Sequence, residues 1–437
     1  MSNALPNSAA LFARALRVLP GGVSRNTVLR CDHPIYVKEA NGVTVTDVDG
    51  VERLDFSNNM SSLIHGHADP ATVAAVTEQL GRGTAFTLAT EAEILFAEHM
   101  CGRSPNFEKI RFVNSGTEAV MAGIKAARAF TGRAKIAKVE GAYHGAYDYA
   151  EISQGSAPAN WGAHDRPNAV PLVAGTPDGI VNDVIVIPFN DPKAATAILD
   201  DHKDSIACIL IDPIPHRAGL VPIAAPFVQA LRQWADNNGA LLMFDEVITF
   251  RSEVGGMQSQ LNAKADLTSM GKMIGGGFPV GALAGRDDVM DVFVKGKKGL
   301  RLPHAGTFSA NPVTMIAGRV VMERFDAAAV ARLNGLGDYA RDSLAQAIKA
   351  SGAPASVTGA GSLLRLHLKP DAPTDYRSAH TDSAETRAMD AFIDALYDNG
   401  IVLVHTCTAA LSTPMERAHI DRLAEAVLTS LRDIQAY

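Results

Sequence analysis

Apolar positions recur along this chain with two different periods, and the switches between them divide it into segments. Near the N-terminus, Leu11, Phe12, Ala15, Leu16 and Leu19 share one face of a helix expected over about 8–19, which Pro20-Gly21-Gly22 stops. Three short alternating runs follow at 35–37, 43–46 and 53–56, the last two joined through Asp49-Gly50, a hairpin signal. They predict a small antiparallel segment. From about Asp69 helical patterns alternate with short apolar strands at Lys109–Val113, Lys135–Val139, Val184–Ile187, Ile206–Ile211 and 240–244. Strands of this kind are buried on both faces, so the alternation predicts an α/β domain with a mostly parallel, doubly wound sheet. After about Pro312 come two long helical stretches, a strand at 363–368, a helix at 384–399, a strand at 401–404 and a closing helix from Arg417. These predict a smaller α+β domain, to which the N-terminal hairpin docks. The expected division is 1–68 and 319–437 for the small domain and 69–318 for the large one.

Composition narrows the function classes. The 437 residues are 47% hydrophobic and 20% charged, ample for a large core. A net charge of −7 and a pI near 6.0 offer no basic surface, so nucleic acid is not an expected partner. No apolar run approaches the roughly 20 residues that span a bilayer, and the first residues lack the charged-then-apolar pattern of a leader. The expectation is a cytoplasmic protein. Cys31, Cys101, Cys208 and Cys407 lie far apart with no paired spacing, which suggests neither disulfides nor zinc, and Cys208 reads as core.

The chemistry sits at the expected C-terminal ends of the strands, where open α/β sheets present ligand groups. The strand at 240–244 delivers Asp245 and Glu246, and Lys272 follows ahead of Gly275-Gly276-Gly277. A carboxylate that holds a proton on a heteroaromatic nitrogen and a lysine that closes a Schiff base are the two protein groups pyridoxal phosphate needs. The Lys109–Val113 strand runs into Asn114-Ser-Gly-Thr-Glu-Ala119 and a helix. Ser115, Gly116 and Thr117 there make either an anion cup or a plain helix cap with Glu118 in the first turn. Past the Lys135–Val139 strand, Tyr143 and His144 emerge at the same edge. Tyr143 could cover one face of a planar ring and Val247 the other. Thr307, in the loop before Pro312, could complete an anion site, although a helix cap is the plainer reading of that loop. The glycine run at 275–277 lacks the spacing of a dinucleotide motif, and a Rossmann dehydrogenase is rejected.

With these motifs in this order the sequence resembles the class III, fold-type I pyridoxal-phosphate aminotransferases, in the branch with glutamate-1-semialdehyde aminomutase and the β-phenylalanine and D-phenylglycine aminotransferases. The resemblance covers nearly the whole chain and rests on Pro20-Gly-Gly22, Asn114-Ser-Gly-Thr-Glu-Ala119, Gly141-Ala-Tyr-His-Gly145, Phe244-Asp-Glu-Val247, Gly271-Lys-Met-Ile-Gly-Gly-Gly277 and Gly306-Thr307. It implies that Lys272 is the Schiff-base lysine and general acid/base, Asp245 the pyridinium partner and Tyr143 the stacking ring. Ser115, Gly116 and Thr117 would hold the phosphate, with Thr307 reaching it across the interface of a homodimer that shares two sites.

The sequence departs from the family pattern in three places. Asp212-Pro213 replaces the usual Glu-Pro and leads into Ile-Pro-His216-Arg217. The run to Arg251 has the β-phenylalanine enzymes' length, one residue shorter than in the aminomutase. The segment 405–412 lacks the Arg-Gly that those enzymes place there. Arg25 stands where they carry a carboxylate-binding arginine, and Arg217 is the competing cation. The expected function is a ping-pong aminotransferase acting between an amino acid or amine, a β-amino acid among them, and an oxo acid. The alternatives are an isomerase of the aminomutase or racemase type and a non-catalytic sensor, against which the retained Lys272 and Asp245 argue.

Overall fold

The computed structural model describes residues 5–29, 33–296 and 299–435, so that Cys31 lies outside the described residues. The chain divides into two compact units, one of Met1–Pro70, Arg332–Ala372 and Thr381–Tyr437, the other of Ala71–Ala331 and Pro373–His380. The segment Pro373–His380, which sequence reading places in the small domain, is therefore grouped with the large unit.

The large unit is built on a seven-stranded sheet. Its spatial order is Lys109–Val113, Gly281–Gly285, Leu267–Gly271, Leu241–Asp245, Ile206–Ile211, Lys135–Val139, Val184–Ile187. The expected strands all form. Gly281–Gly285 runs antiparallel to both of its neighbours, while the other pairs are parallel. The strand register explains the two-sided apolar pattern. Leu242 and Phe244 pack into one core with Phe227, Leu231 and Trp234 of the helix Ala225–Asn238. Leu241 and Met243 pack on the opposite face with Val120, Ile124 and Ala127 of the helix Gly116–Thr131. Cys208 is fully buried in this second core, where burial pushes its thiol up to about 12. Each such large side chain contributes roughly 1.5–3 kcal/mol through burial.

In the other unit, Val37–Asn41, Thr44–Asp47 and Glu52–Asp55 form the expected antiparallel segment, with Gly50 turning the hairpin at φ +87°. The first of these strands lies later than the expected 35–37, and the N-terminal helix earlier, at Pro6–Ala15, because Pro6 starts it. Ile401–Val402 joins the hairpin in parallel beside Glu52–Asp55, so that the two ends of the chain share one sheet. A second sheet joins Ser356–Thr358, Leu363–His367 and Thr408–Ala410. Among the described residues no helix is long and apolar enough to cross a membrane.

Candidate active site

Because Gly281–Gly285 is antiparallel to both neighbours, the Lys109–Val113 and Leu267–Gly271 strands on its two sides point the same way as the rest. Asn114, Glu140, Asp212, Glu246 and Lys272 therefore each follow a strand at one edge of the sheet. Close approaches tie the loops there together. The Val247 methyls lie 2.8 Å from where a Cβ on Gly116 would stand, and Thr117 Oγ1 lies 2.3 Å from where one on Gly145 would stand. Any larger residue at 116 or 145 would push these loops apart, and Gly145 also takes φ +89°.

Asp245, the last residue of its strand, is buried and held from three directions. His144 Nδ1 lies 2.7 Å from Oδ2, and Oδ1 accepts from the Val247 amide at 3.0 Å and from Ser269 Oγ at 3.3 Å. Burial lowers the basicity of His144, against the pull of Asp245. A neutral imidazole donating from Nδ1 satisfies this geometry, with the tautomer assigned from the contact. His144 Nε2 is buried and has no partner among the described residues. Burial, reinforced by the charge of Asp245, raises the neighbouring Asp212 carboxyl well above the usual range, and its Oδ1 accepts the Ile214 amide at 2.9 Å.

Lys272 opens a short turn after Leu267–Gly271 with φ +52°, a conformation a lysine rarely adopts. Burial lowers its ammonium pKa, while Asp245 and then Asp212 oppose that shift. An amine so placed is more readily neutral and nucleophilic than one on the surface.

At the start of Gly116–Thr131 the plain capping reading holds. Ser115 Oγ accepts the Glu118 amide at 3.1 Å, and Glu118 Oε2 accepts from Asn114 N at 2.9 Å and Nδ2 at 3.2 Å. The cap does not consume the first-turn N–H groups of Gly116 and Thr117, which have no intrahelical acceptor and carry the positive end of the helix dipole. Thr117 Oγ1 accepts from the Ala146 amide at 3.4 Å.

Tyr143 is partly buried, which raises its phenol pKa, and meets the His216 ring edge-on, with centroids 5.5 Å apart at 72°. The Arg217 guanidinium lies 5.8 Å from the Tyr143 ring centre, and its Nη1 donates to Gln154 O at 3.2 Å. The loop bearing Tyr143 and His144 is anchored by two basic side chains, Lys138 fully buried and Arg377 partly so. Lys138 Nζ donates to Ala142 O at 3.1 Å and Ile152 O at 2.6 Å. Arg377 grips Glu140 through two bonds of 2.9 and 3.0 Å and also donates to the carbonyls of Trp161, Gly162 and Ala163. Thr307 is exposed and lines a cleft of about 550 Å³ with residues 85–90 and 309–312. Asn311 rather than Thr307 caps the helix Pro312–Arg324. Arg25 belongs to the other unit, where its Nη1 donates to Asn59 Oδ1 at 3.2 Å.

Sequence reading thus reaches Asp245, His144, Val247, Lys272, Tyr143 and the helix start, and the structure groups them at one edge. It misses Ser269, the role of Asp212 beside Asp245, and both loop anchors. Lys138 carries a signal, a charge inside an otherwise apolar strand. Arg377 carries none, since its partner lies 237 residues away.

The class-III aminotransferase family model matches residues 28–431. A glutamate-1-semialdehyde 2,1-aminomutase of Methanothermobacter thermautotrophicus is 36% identical over 98% of this chain and 100% of its own. Among solved structures, an omega-transaminase from Sphaerobacter thermophilus matches with 45% identity and TM-score 0.95, covering 98% of each chain. A β-phenylalanine aminotransferase from Variovorax paradoxus matches with 32% identity and TM-score 0.87, covering 99% of this chain and 95% of that one.

Proposed function

The chain belongs to the class-III aminotransferases, and from that premise we propose that it moves an amino group from an amino acid or amine to an oxo acid in two half-reactions. The observation that carries this reading is the pairing, at one sheet edge, of a buried and fully oriented Asp245 with a desolvated Lys272.

The residues there fit pyridoxal phosphate by the chemistry of their donors. When bound, that group takes up the electron pair left when the carbon bearing the amine loses its proton, and it keeps the transferred nitrogen between half-reactions. The Gly116 and Thr117 amides with the Ser115 and Thr117 hydroxyls would hold its phosphate. Asp245, oriented by His144, would hold a proton on its ring nitrogen by a charge-assisted bond of roughly 1.5–3 kcal/mol. Tyr143 and Val247 would flank the ring. Lys272 would bind it covalently and then, as a free amine, carry the proton to and from the substrate carbon in both half-reactions. In a homodimer, supported by the exposed Phe86, Leu88 and Phe308 around the cleft that Thr307 lines, Thr307 of the second subunit would complete the phosphate site. A cytoplasmic location accords with the free Cys101, Cys208 and Cys407.

We assign the donor carboxylate to Arg25, whose planar guanidinium can fix both oxygens, with a β-amino acid as the favoured class and Arg217 as the competing cation. The named relative from Variovorax supports that class. Arg25→Ala should lower kcat/KM for an amino acid roughly 10- to 100-fold and leave the matching decarboxylated amine nearly unchanged. Equal losses on both would transfer the carboxylate role elsewhere. The second reading, an isomerase, is favoured by the 36% identical aminomutase. With one amino donor and no acceptor, a transaminase releases a stoichiometric keto product and an isomerase releases none.

A further inference from the structure

We propose that Asn59 is a positioning residue for Arg25 and thereby sets the selectivity for carboxylate-bearing donors; this rests on the reading of Arg25 given above. Arg25 and Asn59 are both exposed, and a 3.2 Å hydrogen bond between two freely turning surface side chains would orient little. Asn59 does not turn freely. It lies in Asn58–Ser61, where four successive non-glycine residues take φ of 45°, 48°, 55° and 69°. L-residues enter this left-handed region one at a time, and Asn most readily, because the Cβ crowds the following carbonyl. A run of four persists only where its surroundings over-determine it, and such outliers gather at functional sites.

The surroundings here are specific. Asp55 Oδ1 accepts the amides of Ser57 at 2.8 Å and Asn58 at 3.0 Å, while Asp55 Oδ2 lies 2.8 Å from His67 Nε2. Asn58 Nδ2 donates to Ala410 O at 2.7 Å, pinning the turn to the Thr408–Ala410 strand. Ser57 Oγ accepts the Met60 amide at 3.3 Å. Asn59 Nδ2 donates to Ser62 Oγ at 3.1 Å, and Ser62 Oγ in turn donates to Asn59 O at 2.9 Å. With its NH2 group committed to Ser62, the Asn59 amide has a defined orientation, and Oδ1 is the atom it presents to Arg25. Arginine is among the side chains with the most rotamer entropy, so holding its guanidinium before a substrate arrives removes an ordering cost from binding. The bond to Asn59 uses Nη1. A carboxylate can still be gripped bidentately along the Nε–Nη2 edge.

The test uses substitutions that the left-handed turn accepts. Asn59→Gly keeps φ accessible and removes Oδ1. Asn59→Asp keeps the oxygen and sets an anion against Arg25, in competition with the substrate carboxylate. The probes are 3-amino-3-phenylpropanoate and its decarboxylated counterpart 1-phenylethylamine, measured with wild type and Arg25→Ala in parallel. We expect Asn59→Gly to lower kcat/KM for the acid roughly three- to tenfold, through KM, and Asn59→Asp to lower it further, with the amine changed less than twofold. If Arg25→Ala discriminates between the probes and Asn59→Gly does not, the role of Asn59 is overturned and that of Arg25 stands. Equal losses on acid and amine in Asn59→Gly assign the turn to the fold alone. If neither wild type nor Arg25→Ala distinguishes acid from amine, the carboxylate reading falls and this inference with it.

Discussion

Asp245 and Asn59 each hold a neighbouring group in place, and they are themselves held by opposite means. Asp245 ends a strand buried on both faces, with regular backbone, and the sheet brings His144, Val247 and Ser269 to it. Asn59 is exposed, in a turn of strained backbone that survives because Asp55, Asn58 and Ser62 hold it. The first arrangement suits chemistry common to every substrate, because rigid elements fix catalytic geometry. The second suits a choice among substrates. A short loop can change its cation without disturbing the core.

That contrast makes the predicted consequences of mutation differ in kind. The largest effect should come from Lys272→Ala, which would remove both the proposed covalent anchor and the proposed proton carrier. Turnover of acids and plain amines should fall together by at least roughly 10²–10⁴-fold, read in single-turnover assays. Borohydride reduction of wild type followed by peptide mapping should place the cofactor on Lys272, and recovery on another lysine would break the assignment. Asp245→Asn should follow, with half-reaction rates down roughly 10²–10³-fold for every donor while the cofactor stays bound. A loss confined to carboxylate donors would erase the distinction between the two regions.

The last effect is on stability rather than turnover and concerns Lys138. Burial lowers its pKa to about 7 from an ordinary 10.5, with the Arg217 charge adding to the shift. Between those values the unfolded chain binds more protons than the folded one, so this group makes stability rise as the pH climbs from about 7 to about 10.5. Urea midpoints over that window should show the rise in wild type and lose it in Lys138→Met, a slope of at most about 1.4 kcal/mol per pH unit. An unchanged slope would mean that the ammonium is no less stable inside the fold than outside it.

The same contrast explains what could be read from the sequence. Val184–Ile187, Ile206–Ile211 and Leu241–Asp245 are legible because burial on both faces demands apolar runs, and Asp245 is legible because it ends one. Leu267–Gly271 and Gly281–Gly285 escape notice because Ser269 and five glycines or alanines replace the branched and aromatic residues that mark a strand, although every position in both is buried. The Asn58-Asn59 pair carries only the weak signal that asparagine tolerates a left-handed backbone. Its bonds to Arg25 and Ala410 reach 34 and 352 residues along the chain, beyond any local pattern.

The grip of Arg377 on Glu140 also has a consequence in time. Glu140 leaves the ribosome 237 residues before its partner. At roughly 5–20 residues per second, the nascent chain carries that carboxylate without its guanidinium for roughly 12–47 s. Until then the loop that presents Tyr143 and His144 lacks this anchor and is held by Lys138 and by its contacts to Asp245 and Thr117. The cofactor-binding unit is contiguous in space but not along the chain, so it should reach its final form late in synthesis, after the segment around Arg377 has emerged.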